Sequence, residues 1–200
     1  MTEPRRGPEP GTREGPIPEY AVRYLYNEET TVEREILDHL RGPRLGWRYM
    51  SRDEVVRRYR TQPDGTVDER EVLLVPLLRR KLKELNPGVI NDERAERIIT
   101  RLRGLRSNKE WFSWLRGEQT YQFAADEQYK TIRLIDYGDL DQNDFLVTNQ
   151  FTIEGKERCR PDILLFVNGV PLVDIEAKTA SRTAPDWAEG PSRPGGTARR

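Results

Sequence analysis

The sequence predicts an α+β (mixed α/β) fold, in which a central mixed sheet is covered by an N-terminal helical portion. Apolar residues recur with the helical period of about 3.6 up to Gly117 and with the strand period of about 2 beyond it. The chain has 200 residues, of which 35% are hydrophobic, and this is enough for one domain with a core. Helices that precede strands in this way favour packing of the helices on the sheet.

Five segments of the first half are predicted helices. In "ETTVEREILDHLRG" apolar residues have helical spacing and Gly42 ends the pattern, and the extended piece "LGWRYMS" separates this segment from the charged helix "SRDEVVRRYR". The third helix, "VPLLRRKLKELNPG", begins at Pro76, and the fourth, "NDERAERIITRLRGLR", is capped by Asn91. The short helix "NKEWFSWLRG" carries large aromatic residues that we expect in the core.

Five runs of the second half are predicted strands, because they alternate apolar and polar residues or are short and apolar. They are "QTYQFAAD", "YKTIRLIDYG", "DFLVTNQFTIEG", "PDILLFV" and "VPLVDIEAK". Residues 1–18 and 181–200 are rich in proline, glycine and charge, so we predict disorder there and a single domain over residues 19–180.

Composition excludes several kinds of site. The 34 basic and 34 acidic residues cancel, so any nucleic-acid contact requires a local basic patch. Cys159 is the only cysteine, which excludes an internal disulfide, and His39, the only histidine, lies in a helical pattern where we expect it on the surface. No phosphate-binding loop is present, so the sequence itself shows no nucleotide site. No signal peptide and no long apolar segment is present either, so we expect a cytoplasmic protein.

The segment "RPDILLFVNGVPLVDIEAK" predicts a β-hairpin that turns at Asn168 and Gly169. Odd-numbered positions on both strands are apolar, whereas the even-numbered positions carry all the charge, at Asp162, Asp174, Glu176 and Lys178. A plain two-residue turn would mix the two sets on each face. We therefore predict a three-residue loop, or a bulge near Pro171, and the three-residue loop sets Asp162 opposite Asp174 and diagonal to Glu176.

Carboxylates that lie this close together repel each other unless a cation lies between them. Mg²⁺ typically binds one or two carboxylates and waters, so Asp162, Glu176 and the carbonyl of Ala177 are candidate metal ligands. Lys178 is then placed to orient or deprotonate an attacking water and to offset developing negative charge, which is the chemistry of phosphodiester hydrolysis. The alternative, an ordinary solvated face of a hairpin, explains the same pattern equally well.

The pattern in which these residues occur resembles that of a known family. A "PD" followed by "ExK" on a hairpin is the pattern of the PD-(D/E)xK nuclease superfamily. The longer pattern "LID…ND…NQF…RPDI…NG.PLV.IE.K" resembles the N-terminal nuclease domain of the R subunit of type I restriction endonucleases, over residues 24–179. The resemblance implies a restriction-endonuclease-like core and Mg²⁺-dependent DNA cleavage by Asp162, Glu176 and Lys178. It also implies double-stranded DNA and the modification and specificity subunits as partners, with ATP used only by the full-length enzyme.

The family's glutamate on the first helix corresponds to Glu33, which points into the apolar stripe of that helix. A capping box with Thr30 is an equally good explanation of Glu33. Gln150 matches a recurrent family position, but the sequence suggests no chemical role for it. Ala177 stands where the family usually has a larger apolar residue. The smaller side chain should be tolerated, because only the backbone carbonyl of this residue is expected to contact the metal.

Two further expectations concern DNA and the end of the chain. A basic group on and after the fourth helix is a candidate DNA contact, or else a solvated helix surface, and consists of Arg97, Arg101, Arg103, Arg106 and Lys109. The family continues after the lysine into a helix with a Gln-x-x-x-Tyr motif and an ATP-driven translocase, and residues 181–200 match neither. We therefore expect a truncated R subunit. Its alternatives are a catalytically incomplete remnant that only binds DNA or partner subunits, and a stand-alone repair nuclease.

Overall fold

The computed structural model describes residues 32–177, so the predicted disordered ends and Lys178 lie outside the described part. Its helices are α1 (Val32–Arg41), α2 (Arg52–Val55), α3 (Val75–Leu85), α4 (Asp92–Arg103) and α5 (Asn108–Leu115). A π-helical turn, Val56–Arg60, continues α2, and a 3-10 turn covers Leu140–Gln142. Within residues 32–177, no helix is both long and apolar enough to cross a membrane.

The strands form one main sheet and two short ladders. The main sheet contains β1 (Arg48–Tyr49), β4 (Phe145–Asn149), β7 (Ile163–Val167) and β8 (Val170–Ile175), in the order β1-β4-β7-β8. β1 runs parallel to β4 and the other pairs are antiparallel, so the sheet is mixed. The ladders join β2 (Thr120–Tyr121) to β3 (Lys130–Thr131), and β5 (Ile153–Glu154) to β6 (Arg158–Cys159). The α+β prediction is confirmed.

The helices begin where their local sequence dictates. The side chain of Asn91 accepts a hydrogen bond from the backbone N–H of Arg94 at 2.9 Å, which caps α4 as predicted. Pro76 lies in the first turn of α3, where its missing N–H costs no helical hydrogen bond. His39 is exposed on α1, also as predicted.

Helices cover both faces of the sheet, and β7 is buried along its whole length. Leu164 and Phe166 belong to a buried cluster that includes Leu77 of α3. On the other face, Ile163 and Leu165 pack with Leu37 of α1. A strand buried on both faces needs a continuous apolar sequence, which "ILLFV" supplies.

The predicted bulge in the hairpin is confirmed, but the predicted partner of Asp162 is wrong. Val167 pairs with Val170 across a two-residue turn, and Leu172 is then an extra residue with no partner in the register. Beyond this bulge, like parities face each other, since Ile163 pairs with Ile175 and Leu164 with Asp174. Asp174 therefore lies two residues further from Asp162 than the three-residue loop would place it.

The predicted strand "YKTIRLIDYG" pairs only at Lys130–Thr131. The backbone beyond it bonds to a side chain instead of a strand, because the buried amide of Asn86 accepts from the N–H of Arg133 and donates to its carbonyl, at 2.8 and 2.9 Å. Ile132 and Leu134 then enter the core next to the helices. The expectation for the aromatic helix also needs correction, because Trp114 is buried but Phe112 is 62% exposed.

The hairpin turn is fixed to its surroundings through Asn168 and Gly169, which both have positive φ angles of 53° and 85°. This combination is required by a type I′ turn and explains the Asn-Gly sequence. The fully buried Asn168 side chain donates to the carbonyl of Leu134 and to Asn143, and it accepts from the backbone N–H of Asp144. The "LID", "ND" and "NG" parts of the long sequence pattern thus meet in one structural network.

Candidate active site

The candidate site lies at the end of the strands opposite to this turn. Gln150 follows the last residue of β4, and Asp162 directly precedes β7. The backbone N–H of Gln150 donates to the carbonyl of Asp162 at 2.9 Å, which continues the pairing of the two strands beyond their ends. The "NQF", "RPD" and "IEA" parts of the sequence therefore meet here, away from the structural network.

Side-chain hydrogen bonds connect three elements at this point. Nε2 of Gln150 donates to Oε1 of Glu33 on α1 at 2.8 Å and lies 3.4 Å from Oδ1 of Asp162. The backbone N–H of Ala177 donates to the second oxygen of Asp162, Oδ2, at 2.8 Å. The geometry thus brings Asp162, Glu33 and Ala177, three of the residues predicted from the sequence, into one cluster. Gln150 is the member for which the sequence suggested no role.

Glu33 is only 2% exposed, as its position in the apolar stripe of α1 predicts. A buried carboxylate is costly unless it has polar partners, and Gln150 is one of them. Thr30, the partner in the alternative capping box, lies outside the described residues. The Tyr49 side chain lies nearby, and its pKa is raised mainly by burial, while Arg41 lowers it and Glu33 raises it. Tyr49 thus remains protonated and donates to Asn149.

Glu176 follows β8 and is exposed. Because Ile163 pairs with Ile175, continuing the same register by one residue sets Glu176 opposite Asp162. The observed bulge therefore brings Glu176, and not the predicted Asp174, opposite Asp162. Lys178 lies outside the described residues, so its predicted role stays a prediction.

The donors of this cluster have the chemistry that a hard divalent cation requires, since they are carboxylate, amide and carbonyl oxygens. Oε1 of Gln150 is buried and has no hydrogen-bond partner in the described part of the chain. Residues 32–177 contain no group of three or more His, Cys, Asp or Glu side chains arranged to hold a metal ion. Mg²⁺ does not require such a group, because one or two carboxylates and waters suffice. The residues therefore fit Mg²⁺, with Asp162, Glu176 and the Ala177 carbonyl as candidate ligands and the carboxylate of Glu33 beside them.

A buried arginine supports the chain just after Gln150. Arg60, at the end of the π-helical turn, lies 4.5 Å from the ring centre of Phe151. It also donates to the carbonyls of Thr152 and Asp68, at 2.7 and 2.9 Å. Burial lowers the pKa of Arg60, and carboxylates including Glu69 oppose that shift. This side chain therefore connects the π-helical turn after α2 to Phe151 and Thr152, the two residues that follow Gln150.

The candidate DNA-contacting residues on and after α4 are exposed, but three of them pair with carboxylates. Arg97 pairs with Glu93, and Arg101 lies 3.5 Å from Glu110. Arg103 pairs with Glu71 and lies 3.7 Å from Glu96. These pairs reduce the positive charge that the surface offers to a phosphate backbone. Arg106 and Lys109 are exposed beyond α4 and at the start of α5.

Comparison with known proteins gives a consistent result. A family model described as type I restriction enzyme R protein N terminus (HSDR_N) matches residues 25–192. The type I restriction enzyme HindI endonuclease subunit of Haemophilus influenzae is 25% identical over 167 residues, which cover 79% of this chain and 16% of that protein. A protein of Methanocaldococcus jannaschii, assigned as the type I restriction enzyme MjaIXP endonuclease subunit, is 27% identical over 175 residues.

The second of these alignments covers 80% of this chain and 16% of the relative. The type I restriction enzyme SsaAORF53P endonuclease subunit of Staphylococcus saprophyticus is 29% identical over 102 residues, 51% of this chain and 11% of that protein. The chain therefore spans about a sixth, or less, of the length of the curated relatives it matches.

Proposed function

Since this chain belongs to the family of type I restriction enzyme R protein N termini, we propose that it is the nuclease portion of such an R subunit and cleaves DNA in a metal-dependent reaction. The relatives are named endonuclease subunits of type I restriction enzymes, which supports a restriction nuclease role. The finer assignment depends on the cluster around Asp162. Its carboxylate accepts from Ala177 and Gln150, and the same Gln150 bonds to the buried Glu33.

Each residue of the site has a distinct role in this proposal. Asp162 and Glu176 hold Mg²⁺ together with the carbonyl of Ala177, and Glu33 contributes a further carboxylate from α1. When bound, Mg²⁺ would polarise the scissile phosphate and make the attacking water more acidic. Lys178 orients that water and offsets the negative charge that develops on the phosphate. The N–H of Ala177 fixes the orientation of the Asp162 carboxylate, which leaves Oδ1 to face Gln150.

The partners follow from the same proposal. Double-stranded DNA is the substrate, and the modification and specificity subunits of a type I restriction complex are the protein partners. ATP is used by the full-length family enzyme, outside the portion that this chain represents. The cytoplasm is where such an enzyme meets its DNA. Arg97, Arg101, Arg103, Arg106 and Lys109 remain proposed DNA contacts, although ion pairs occupy three of them.

A cleavage assay tests the proposal. The purified 200-residue chain is incubated with linear DNA and Mg²⁺, beside samples that contain a chelator or the Asp162→Ala variant. We expect cleavage that requires Mg²⁺ and is absent from the variant. Cleavage that persists in Asp162→Ala would contradict the assignment of the site. DNA binding without any cleavage would contradict the enzymatic proposal and favour a non-catalytic remnant.

A further inference from the structure

We propose that Gln150 is a positioning residue of this site, which holds the carboxylate of Glu33 beside that of Asp162 so that both can serve one divalent cation. This inference rests on the proposed function and adds a residue to its site. Glu33 and Gln150 are 117 positions apart in the sequence, so the side-chain contact between α1 and the end of β4 depends on the fold. Gln150 connects that contact to Asp162, because the same nitrogen faces both carboxylates.

The amide group suits this position chemically. Two carboxylates that approach each other repel, and a neutral side chain with two N–H donors offsets this repulsion without adding charge. A lysine or arginine there would instead compete with a metal cation for the same oxygens. Gln150 thus keeps the two carboxylates together and leaves their negative charge available to a cation.

The backbone of Gln150 supports the same conclusion. Its φ angle is 54°, in the left-handed region that residues with a Cβ atom seldom adopt. Its N–H donates to the carbonyl of Asp162, and its side chain faces the carboxylate of the same residue. Gln150 therefore contacts Asp162 through both backbone and side chain, which fixes the direction in which the amide points. Unusual backbone conformations of this kind are concentrated at functional sites.

The remaining polar atom of the amide is consistent with a site for a cation. Oε1 of Gln150 is buried and accepts no hydrogen bond from the residues that the structure describes. An amide oxygen can coordinate Mg²⁺ directly, or it can accept a hydrogen bond from a water bound to Mg²⁺. The position thus combines two N–H donors that hold carboxylates with one buried acceptor to which no described residue donates.

Mn²⁺ binding to the 200-residue chain tests this inference by isothermal titration calorimetry, with no DNA present. The variants are Gln150→Asn, Gln150→Leu and Asp162→Asn. Gln150→Asn is the matched variant, because asparagine has the same amide and tolerates a left-handed backbone but is one methylene too short to reach both carboxylates. Gln150→Leu keeps the bulk and removes the amide. We expect the dissociation constant for Mn²⁺ to rise about 10- to 100-fold in both Gln150 variants.

Thermal unfolding with and without Mn²⁺ separates positioning from a purely structural role. If Gln150 positions the carboxylates, the increase in unfolding temperature caused by Mn²⁺ shrinks in Gln150→Asn. An unchanged Mn²⁺ affinity in Gln150→Asn, together with lost affinity in Asp162→Asn, would overturn this inference and leave the proposed function standing. Wild-type affinity in Asp162→Asn would overturn the proposed function itself. If Gln150→Leu does not fold, Gln150→Asn still gives the decisive comparison.

Discussion

Replacing Gly169 by alanine should destabilise the protein far more than replacing Gly65 by alanine, although both glycines have the same φ angle of 85°. A Cβ atom in the left-handed region costs about 1–2 kcal/mol, and this cost is common to the two substitutions. Around Gly65 nothing lies within 4 Å of an added Cβ. At Gly169 the added Cβ would lie 2.8 Å from the carbonyl oxygen of Leu74 and 2.9 Å from the nitrogen of Leu78. Both atoms belong to backbone near the start of α3, so no side-chain rotation relieves the clash.

The turn must then move away from α3. The hydrogen bond from the N–H of Leu74 to the carbonyl of Gly169, now 2.8 Å long, would be lost at a cost of about 1 kcal/mol. Repacking around an added methyl group costs about 1–3 kcal/mol more. The free energy of unfolding should therefore fall by about 3–6 kcal/mol in Gly169→Ala and by about 1–2 kcal/mol in Gly65→Ala. Any effect of alanine on the unfolded chain cancels in the comparison.

Urea denaturation, followed by tryptophan fluorescence and by far-ultraviolet circular dichroism, gives the two free energies. Equal losses of stability in Gly169→Ala and Gly65→Ala would refute the close approach of the hairpin turn to α3. The same result would also count against the pairing of Glu176 with Asp162, because this turn sets the register of the hairpin.

Two further predictions concern arginines. Arg60→Lys should lower the free energy of unfolding by about 1.5–3 kcal/mol, because an ammonium group cannot reach the carbonyls of both Thr152 and Asp68. In the control Arg57→Lys, at an exposed position, the free energy of unfolding should change by less than about 0.5 kcal/mol. Equal effects in urea denaturation would contradict the buried role of Arg60. If α4 contacts DNA, the joint replacement of Arg101 and Arg103 by glutamate should make the plot of log affinity against log salt concentration less steep. The slope, measured by fluorescence anisotropy, should change by the equivalent of about two phosphate contacts. An unchanged salt dependence would exclude this surface as the DNA contact.

Much of the fold could be predicted because its elements carry local signals. Asn91 and Pro76 mark the starts of α4 and α3 in the sequence, and both act as expected. The stretch around Ile132 and Leu134 could not be predicted, because its alternation resembles a strand while its backbone partner is the side chain of Asn86, 47 residues away. Local propensity does not reveal such a distant partner.

The residues of the site, like the elements of the fold, could be predicted only in part. The separation of parities in the hairpin required an odd loop or a bulge, but it did not determine which, and the choice decides whether Asp174 or Glu176 faces Asp162. Glu33 was indicated by the family resemblance, and its place in the apolar stripe of α1 agreed with that assignment. Gln150 could not be assigned a role, because its left-handed backbone becomes visible only in the structure. The one available signal was the polar pair Asn149 and Gln150, which interrupts the apolar run of "DFLVTNQFTIEG".

The most direct test of the central claim is the single-turnover rate of DNA cleavage in Mg²⁺ for the wild type, Asp162→Asn and Asp174→Asn. Both substitutions replace one carboxylate of the same hairpin by an amide of nearly the same shape, and Asp174 is exposed and opposite Leu164, outside the site. Asp162→Asn should slow cleavage more than about 100-fold, since loss of even an outer partner of a metal ligand reduces activity about 10- to 100-fold. Asp174→Asn should stay within about twofold of the wild type. Wild-type cleavage by Asp162→Asn, or equal losses in the two variants, would contradict the claim that Asp162 holds the metal that cuts DNA.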